Sequence, residues 1–159
     1  MSGAVAIKEN AWSDSYYTTA LGKKRSAAGS ETAIGLRAYW KPDTTGAIPS
    51  VQVGYDVSNI DDAPTGYADE ASGWMVGFGW EDLLIDGNRA GLAFGSRVAA
   101  TSIVGGGSDP NEDNSVWEAY YSFKVNDGVT VTPAIFGSSD VEVKGKDISG
   151  GVILTEFRF

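Results

Sequence analysis

Apolar and polar residues alternate with a period of two over most of this 159-residue chain, and that regularity restricts it to β-strands. Pro49 to Val57 (PSVQVGYDV) sets Val51, Val53, Tyr55 and Val57 against Gln52, Gly54 and Asp56, and turn-forming residues bound it on both sides. Thr32 to Lys41 places Ile34, Leu36, Ala38 and Trp40 opposite Gly35, Arg37 and Tyr39, and it breaks at Pro42. Gly73 to Glu81 carries Trp74, Val76, Phe78 and Trp80 on one side and Gly73, Met75, Gly77 and Gly79 on the other, which predicts one bulky face and one nearly bare. Asn88 to Val98 repeats this scheme, with Ala90, Leu92 and Phe94 against Arg89, Gly91, Ala93, Gly95 and Arg97. Ser115 to Val125, Val129 to Phe136 and Ser149 to Phe159 follow the same rule, and Gly3 to Trp12 reads as a weaker first strand. The pattern therefore predicts eight strands and no helix, with a bulge at Pro133, where a ladder donor is missing.

Composition removes most competing function classes. The chain has no Cys and no His, which excludes disulfides, the usual zinc sites, thiol nucleophiles and every His-based catalytic triad. Net charge is −9, and the only basic run is Lys23, Lys24 and Arg25, so duplex nucleic acid is not an expected partner. Asp61 and Asp62 are neighbours on a loop and do not form an acid/base pair of defined separation, so no enzyme is expected. Asp109, Asn111 and Asp113 lack the Gly and terminal Glu of a calcium loop, and Gly105 to Gly107 lack the Lys-Ser/Thr of a phosphate loop; neither a metal nor a cofactor is implied. No run approaches the roughly 18 apolar residues that a membrane helix needs. A barrel strand needs only about ten alternating residues, and the mean hydropathy of −0.14 permits that.

The connections also differ in kind. Asn126-Asp127-Gly128, Glu81 to Gly87 and Pro42 to Ile48 read as short, whereas Ser13 to Glu31, Ser58 to Ser72 and Ala99 to Asn114 read as long polar links. Counting back from the C-terminus puts the short turns on one side, as in up-and-down outer-membrane barrels. The two later long links are the segments expected to fold into a lumen. The same count puts Trp40, Trp80 and Phe159 at one set of strand ends and Trp74 and Trp117 at the other, as two aromatic girdles that also include Phe157.

Ser149 to Phe159 (SGGVILTEFRF), with Ile153, Phe157 and Phe159 on one parity, resembles the C-terminal assembly signal of bacterial outer-membrane β-barrels. Gly73 to Phe94 (GWMVGFGWEDLLIDGNRAGLAF), Trp117 to Phe136 (WEAYYSFKVNDGVTVTPAIF) and Gly150 to Phe159 are similar to the C-terminal portion of cyanobacterial outer-membrane porins of the carbohydrate-selective, OprB-type family. The resemblance implies an all-β fold, an antiparallel transmembrane β-barrel of about sixteen strands, of which residues 1–159 supply the C-terminal half. It implies passive diffusion of small hydrophilic solutes such as carbohydrates or ions, an outer-membrane location, contact with lipid and lipopolysaccharide, recognition of the last strand by the barrel-assembly machinery, and a homo-trimer for the full-length porin. Family members are longer and often carry a surface-layer-homology region; neither that region nor the first half is in this sequence. The chain lacks the basic start and apolar core of a secretory signal, so it is expected to be a processed or partial product.

In a porin the working residues face the lumen. By parity these are Arg37, Tyr39, Gln52, Asp56, Arg89, Arg97, Glu118, Tyr120, Lys124, Thr130, Thr132, Glu156 and Arg158. Their mixed charges, with Tyr and Gln among them, suit sugars or other small polar solutes. The same residues could instead cross-link strands on a water-facing sheet. Two other architectures fit the alternation: a complete eight-stranded outer-membrane barrel with a structural or adhesive role, and a soluble β-sandwich binding module.

Overall fold

Among the described residues the period of two is realised as nine strands: β1 (Ser2–Glu9), β2 (Ser30–Trp40), β3 (Ser50–Ile60), β4 (Ala68–Glu81), β5 (Arg89–Gly95), β6 (Ala99–Ile103), β7 (Val116–Asn126), β8 (Val129–Ser138) and β9 (Ile148–Phe157). The computed structural model describes residues 2–9, 30–107, 109, 112–140 and 145–159. Over these residues it is one antiparallel sheet in the order β1-β2-β3-β4-β5-β7-β8-β9, with no helix. β6 lies off that path and pairs with β4, so nine strands fill eight places. β1 and β9 are the two edges of the order and are not paired to each other.

The strand expected over Asn88 to Val98 ends at Gly95, an extra strand forms in the link that follows it, and its neighbour β4 is longer than its alternation suggests. β4 pairs with β5 through Met75 to Glu81 and with β6 through Ala68 to Ser72. Two of the expected long links therefore shrink. Ser58 to Ser72 contracts to residues 61–67, the same length as the turn at 82–88, and Ala99 to Asn114 gives its first five residues to β6. The reason is small-residue packing: Ala68, Ala71, Ala99 and Ala100 are buried where these strands meet, and alanines carry too little contrast to mark a strand in sequence. Of the longest expected link, Ser13 to Glu31, residues 13–29 lie outside the described residues, as do residues 10–12 of the first strand.

The bulge expected at Pro133 is absent. Tyr120 pairs with Ala134 and Phe123 with Val131 in one unbroken register, while Tyr121 and Ser122 make no ladder pair across from Pro133 and Thr132. The Thr132 hydroxyl donates to the Ser122 hydroxyl at 2.8 Å in that gap, so a side-chain bridge stands beside the missing backbone donor. The register shift falls instead at Lys124/Asn126, beside the tight turn.

Register decides which residues share a face. Tyr39, Gln52, Gly77, Ala93, Glu118, Phe136 and Gly150 form one continuous row across seven places of the sheet. On the opposite face Trp40, Val51, Phe78, Leu92, Ala119 and Ile135 form the adjoining row, and Ala38, Val53, Val76, Phe94 and Trp117 the next. The glycines of the polar face are covered by their neighbours. A Cβ on Gly91 would fall 2.2 Å from Tyr120 Cε1, and one on Gly77 would fall 2.7 Å from Gln52 Nε2, so these long side chains lie flat over the glycines. A Cβ on Gly95 would meet the Trp74 carbonyl oxygen at 2.4 Å, which is backbone and cannot swing aside.

That contrast predicts a ranking. Gly95→Ala should lower unfolding stability by about 1–3 kcal/mol, the usual cost of forcing a chain apart. Gly91→Ala should cost less, because the Tyr120 ring can rotate away; urea titrations of the two refolded variants compare them directly.

Candidate functional site

The two faces differ in chemistry as sharply as the register differs in parity. Among the described residues the buried apolar set is small: Ile60, Ala68, Ala71, Ala99 and Ala100. The large apolar side chains are on the surface instead, with Trp40 54% exposed, Trp74 49%, Phe94 42%, Ile135 57% and Ile153 73%. Nothing in the described chain packs over them as a second layer. The small core lies where Glu31 pairs with Ile60, and Ser58 with Ala71, at the sheet end away from the short turns. There the Ser58 hydroxyl donates to the buried Glu31 carboxylate, and the Ala100 amide donates to the buried Asp109 carboxylate at 3.3 Å.

The residues expected to line a lumen share one face where they lie in strands, all but Arg97 and Arg158, but their roles divide. Arg37 donates through Nη2 to both carboxylate oxygens of Asp56, at 2.9 and 2.8 Å, and through Nη1 to the carbonyls of Leu36 and Tyr55. These two charges cancel across β2 and β3. Lys124 pairs with Asp127 at 2.8 Å, and Arg158 with Glu156 at 3.0 Å. Thr130 stands between Lys124 and Glu156 in the register, and Thr132 is held by Ser122. Arg97 leaves the strand pattern altogether. It lies in the break between β5 and β6, and its Nη2 donates to the carbonyls of Ser139 and Asp140, at 3.3 and 2.8 Å.

Tyr39, Gln52, Arg89, Glu118 and Tyr120 remain, and the structure brings these five together. They border a concavity of about 300 Å³ whose floor includes Gly79, Gly91 and Ala93, with Ser50 and Glu81 at its margin. Glu81 is itself engaged, because Lys41 donates to both its carboxylate oxygens at 2.9 and 2.8 Å. Glu118 also borders an adjacent concavity of about 420 Å³ with Met75, Val116 and Phe136. Ser50 and Glu81 were not singled out in the sequence; their parity with Gln52 and Gly79 was the available signal.

Both ends of this region are fixed by buried polar side chains. At the short-turn end Asn88 is 2% exposed; it donates to the Tyr121 hydroxyl at 3.2 Å and accepts from the Lys124 amide at 2.9 Å, while Tyr121 donates to the Leu83 carbonyl at 2.7 Å. At the far end Asn114 accepts from the Arg97 amide at 2.6 Å and donates to the Arg97 carbonyl at 3.2 Å. Each asparagine thus replaces ladder bonds where β5 meets the chain leading to or from β7.

The aromatic set is split by the extension of β4. Trp40 ends β2, Trp80 is next to last in β4, Phe157 ends β9 and Trp117 is second in β7, whereas Phe159 lies beyond β9 and is fully exposed. Trp74, expected at a strand end, is in mid-strand because β4 begins at Ala68. It still bounds the apolar stretch, since Ser72 and Glu70 follow it toward the strand start. Trp80 also donates from Nε1 to the Ala47 carbonyl at 3.2 Å, tying the turn at 41–49 to β4.

No family model, curated protein or solved structure matches the chain.

The turn at 82–88 gives a testable electrostatic feature. The Gly87 amide donates to Asp82 Oδ1 at 2.7 Å; this bond first, then one from Thr45 and the charge of Arg89, hold the Asp82 carboxyl below the ordinary aspartate value. A carboxyl lowered on folding contributes stability above its unfolded pKa and loses that contribution as pH falls through its folded pKa. The Gly87 amide resonance should therefore titrate with a midpoint below the ordinary aspartate value. Asp82→Asn should abolish that titration and lower stability at neutral pH but not in strong acid.

Proposed function

We propose that this chain forms part of the wall of an outer-membrane β-barrel porin, through which small hydrophilic solutes diffuse passively. The observation that carries the reading is the apolar face, which runs in register across the sheet and is exposed to its surroundings, while glycines and polar groups occupy the reverse. Lipid is the solvent that suits such a face, because an outward apolar band and a polar interior are how strands cross a membrane. Trp40, Trp74, Trp80, Trp117, Phe157 and Phe159 are then the interfacial aromatics, and the turns at 41–49, 82–88 and 127–128 lie on the periplasmic side with the C-terminus. The opposite end, with its buried Glu31 and Asp109, meets lipopolysaccharide and the outside.

The open edges favour a larger barrel over a closed one of eight places. Unpaired strand edges in hydrocarbon leave backbone groups unsatisfied at several kcal/mol each, so further strands pair with β1 and β9 in the working channel. Those strands come from a longer chain of the OprB-type family that the sequence resembles, and the finished porin is a homo-trimer whose terminal strand is read by the barrel-assembly machinery. A sandwich module would need a second layer over Phe78 and Phe94, and no such layer is present among the described residues. The role is transport by diffusion, without a catalytic step or a cofactor.

Two measurements test this. Single-tryptophan versions retaining Trp74 or Trp80, refolded with lipid vesicles, should be quenched by nitroxide-labelled lipid and protected from aqueous acrylamide; the reverse pattern sinks the membrane assignment. A chain extended upstream should then give discrete conductance steps in a planar bilayer, and a folded, bilayer-inserted but electrically silent protein would overturn transport while leaving the barrel.

A further inference from the structure

The polar face carries many charges, and nearly all of them are cancelled within the chain. Arg37 is held by Asp56, Lys124 by Asp127, Arg158 by Glu156 and Glu81 by Lys41. Two opposite charges are left on the concavity floored by Gly91. Glu118 has no hydrogen bond or ion pair among the described residues, and Arg89 has none either beyond the longer-range attraction of the Asp82 charge in the turn below. Both side chains are exposed.

Their spacing explains why they do not neutralise each other. Arg89 pairs in register with Ser122, and Glu118 lies four positions further along β7 on the same face, roughly 13 Å along the strand direction. A direct ion pair would need the side chains to cross the Gly91–Tyr120 row, where the Tyr120 ring already lies over the glycine. The result is a positive group and a negative group rooted at the two ends of one shallow concavity, with an aromatic ring and Gln52 between and beside them. The face has almost no net charge there, yet it has a strong local polarity along the strand direction.

We infer that this concavity is a binding subsite for small zwitterions of amino-acid to dipeptide size, the solute carboxylate meeting Arg89 and its ammonium meeting Glu118. An extended dipeptide spans about 7 Å, a length that fits between charges whose backbones are roughly 13 Å apart and whose side chains shorten the gap from either end. An uncharged solute satisfies neither group as well, because it offers each ion only a dipole, whereas a zwitterion brings the opposite charge to both. The inference deepens the porin reading by naming a solute class, and it rests on the polar face being open to water. Its test is equilibrium binding and needs no conductance, so its failure and that of the transport reading are separable.

The probe is alanylalanine, titrated by calorimetry into the chain refolded in detergent micelles at neutral pH. Saturable binding is expected. N-acetyl-alanylalanine, which keeps only the carboxylate, and alanylalanine amide, which keeps only the ammonium, should each bind at least about tenfold more weakly, equivalent to 1.4 kcal/mol. Arg89→Gln should abolish the preference for the free carboxylate, and Glu118→Gln the preference for the free ammonium; both residues are exposed, so neither change threatens the fold. A double exchange, Arg89→Glu with Glu118→Arg, should restore binding of alanylalanine in the opposite orientation. Binding of glucose as strong as that of alanylalanine, equal binding of the two blocked dipeptides and the parent, or no saturable binding to the folded chain would each overturn the assignment.

Discussion

A single-layer sheet with large apolar side chains on one face has to remove that face from water, and every other feature of this molecule is arranged around that requirement. Burying one such side chain fully is worth about 1.5–3 kcal/mol. Leu36, Trp40, Val53, Tyr55, Trp74, Phe94, Trp117, Phe123, Ile135, Ile153 and Phe157 are each a third or more exposed. Together they hold back on the order of 10 kcal/mol, as much as the ~5–15 kcal/mol that separates a folded domain from its unfolded chain. The buried set, mostly alanine, is too small to replace this. The fold is therefore specified by backbone pairing and register, and its stability depends on what covers the apolar face.

The reverse face obeys a different rule. Glycines there permit neighbouring side chains to lie flat, so Tyr120, Gln52 and Phe136 cover Gly91, Gly77 and Gly150 and shield the backbone ladder from above. Flat side chains leave a wet surface with shallow concavities, whereas upright ones would fill a narrow interior. Charges on this face are mostly paired, across strands for Arg37 with Asp56 and Lys41 with Glu81 and within one strand end for Lys124 with Asp127 and Arg158 with Glu156, so they build little net field. Pairs of this kind, half exposed as Arg37 and Asp56 are, contribute modestly to stability. Their larger effect is to leave Arg89 and Glu118 as the groups still available to a solute.

At the two ends of the sheet the constraint changes again, because strands stop and backbone groups must find other partners. Asn88 and Asn114 solve the same problem at opposite ends, each bonding both donor and acceptor groups of a neighbouring segment. Arg97 serves as a clamp on the link that follows β8, which is why an arginine on the polar parity takes no part in the concavity. The positive φ of Asp82 and Leu84 in the turn at 82–88 is held by the same network, through Gly87, Asn88 and Tyr121.

The alternation by itself determined that the chain is all-β, where seven of the strands lie to within a few residues, and which residues of each strand share a side, because a period of two assigns each side chain a side without reference to any partner. It also put Tyr39, Gln52, Arg89, Glu118 and Tyr120 on the polar side of their strands, together with eight other residues; that these five border one concavity follows from the register. Three things it could not contain. The break at residues 96–98 and the pairing of β6 with β4 depend on alanines that carry no alternation contrast. The cancellation of Arg37 by Asp56, and the diversion of Arg97 to Ser139 and Asp140, depend on diagonal and loop contacts between residues far apart in the chain. The isolation of Arg89 from Glu118 depends on a register between β5 and β7 that β6 and its link interrupt in sequence. Parity is a local property and is legible in one strand; pairing is a relation between strands, and only the folded sheet decides it.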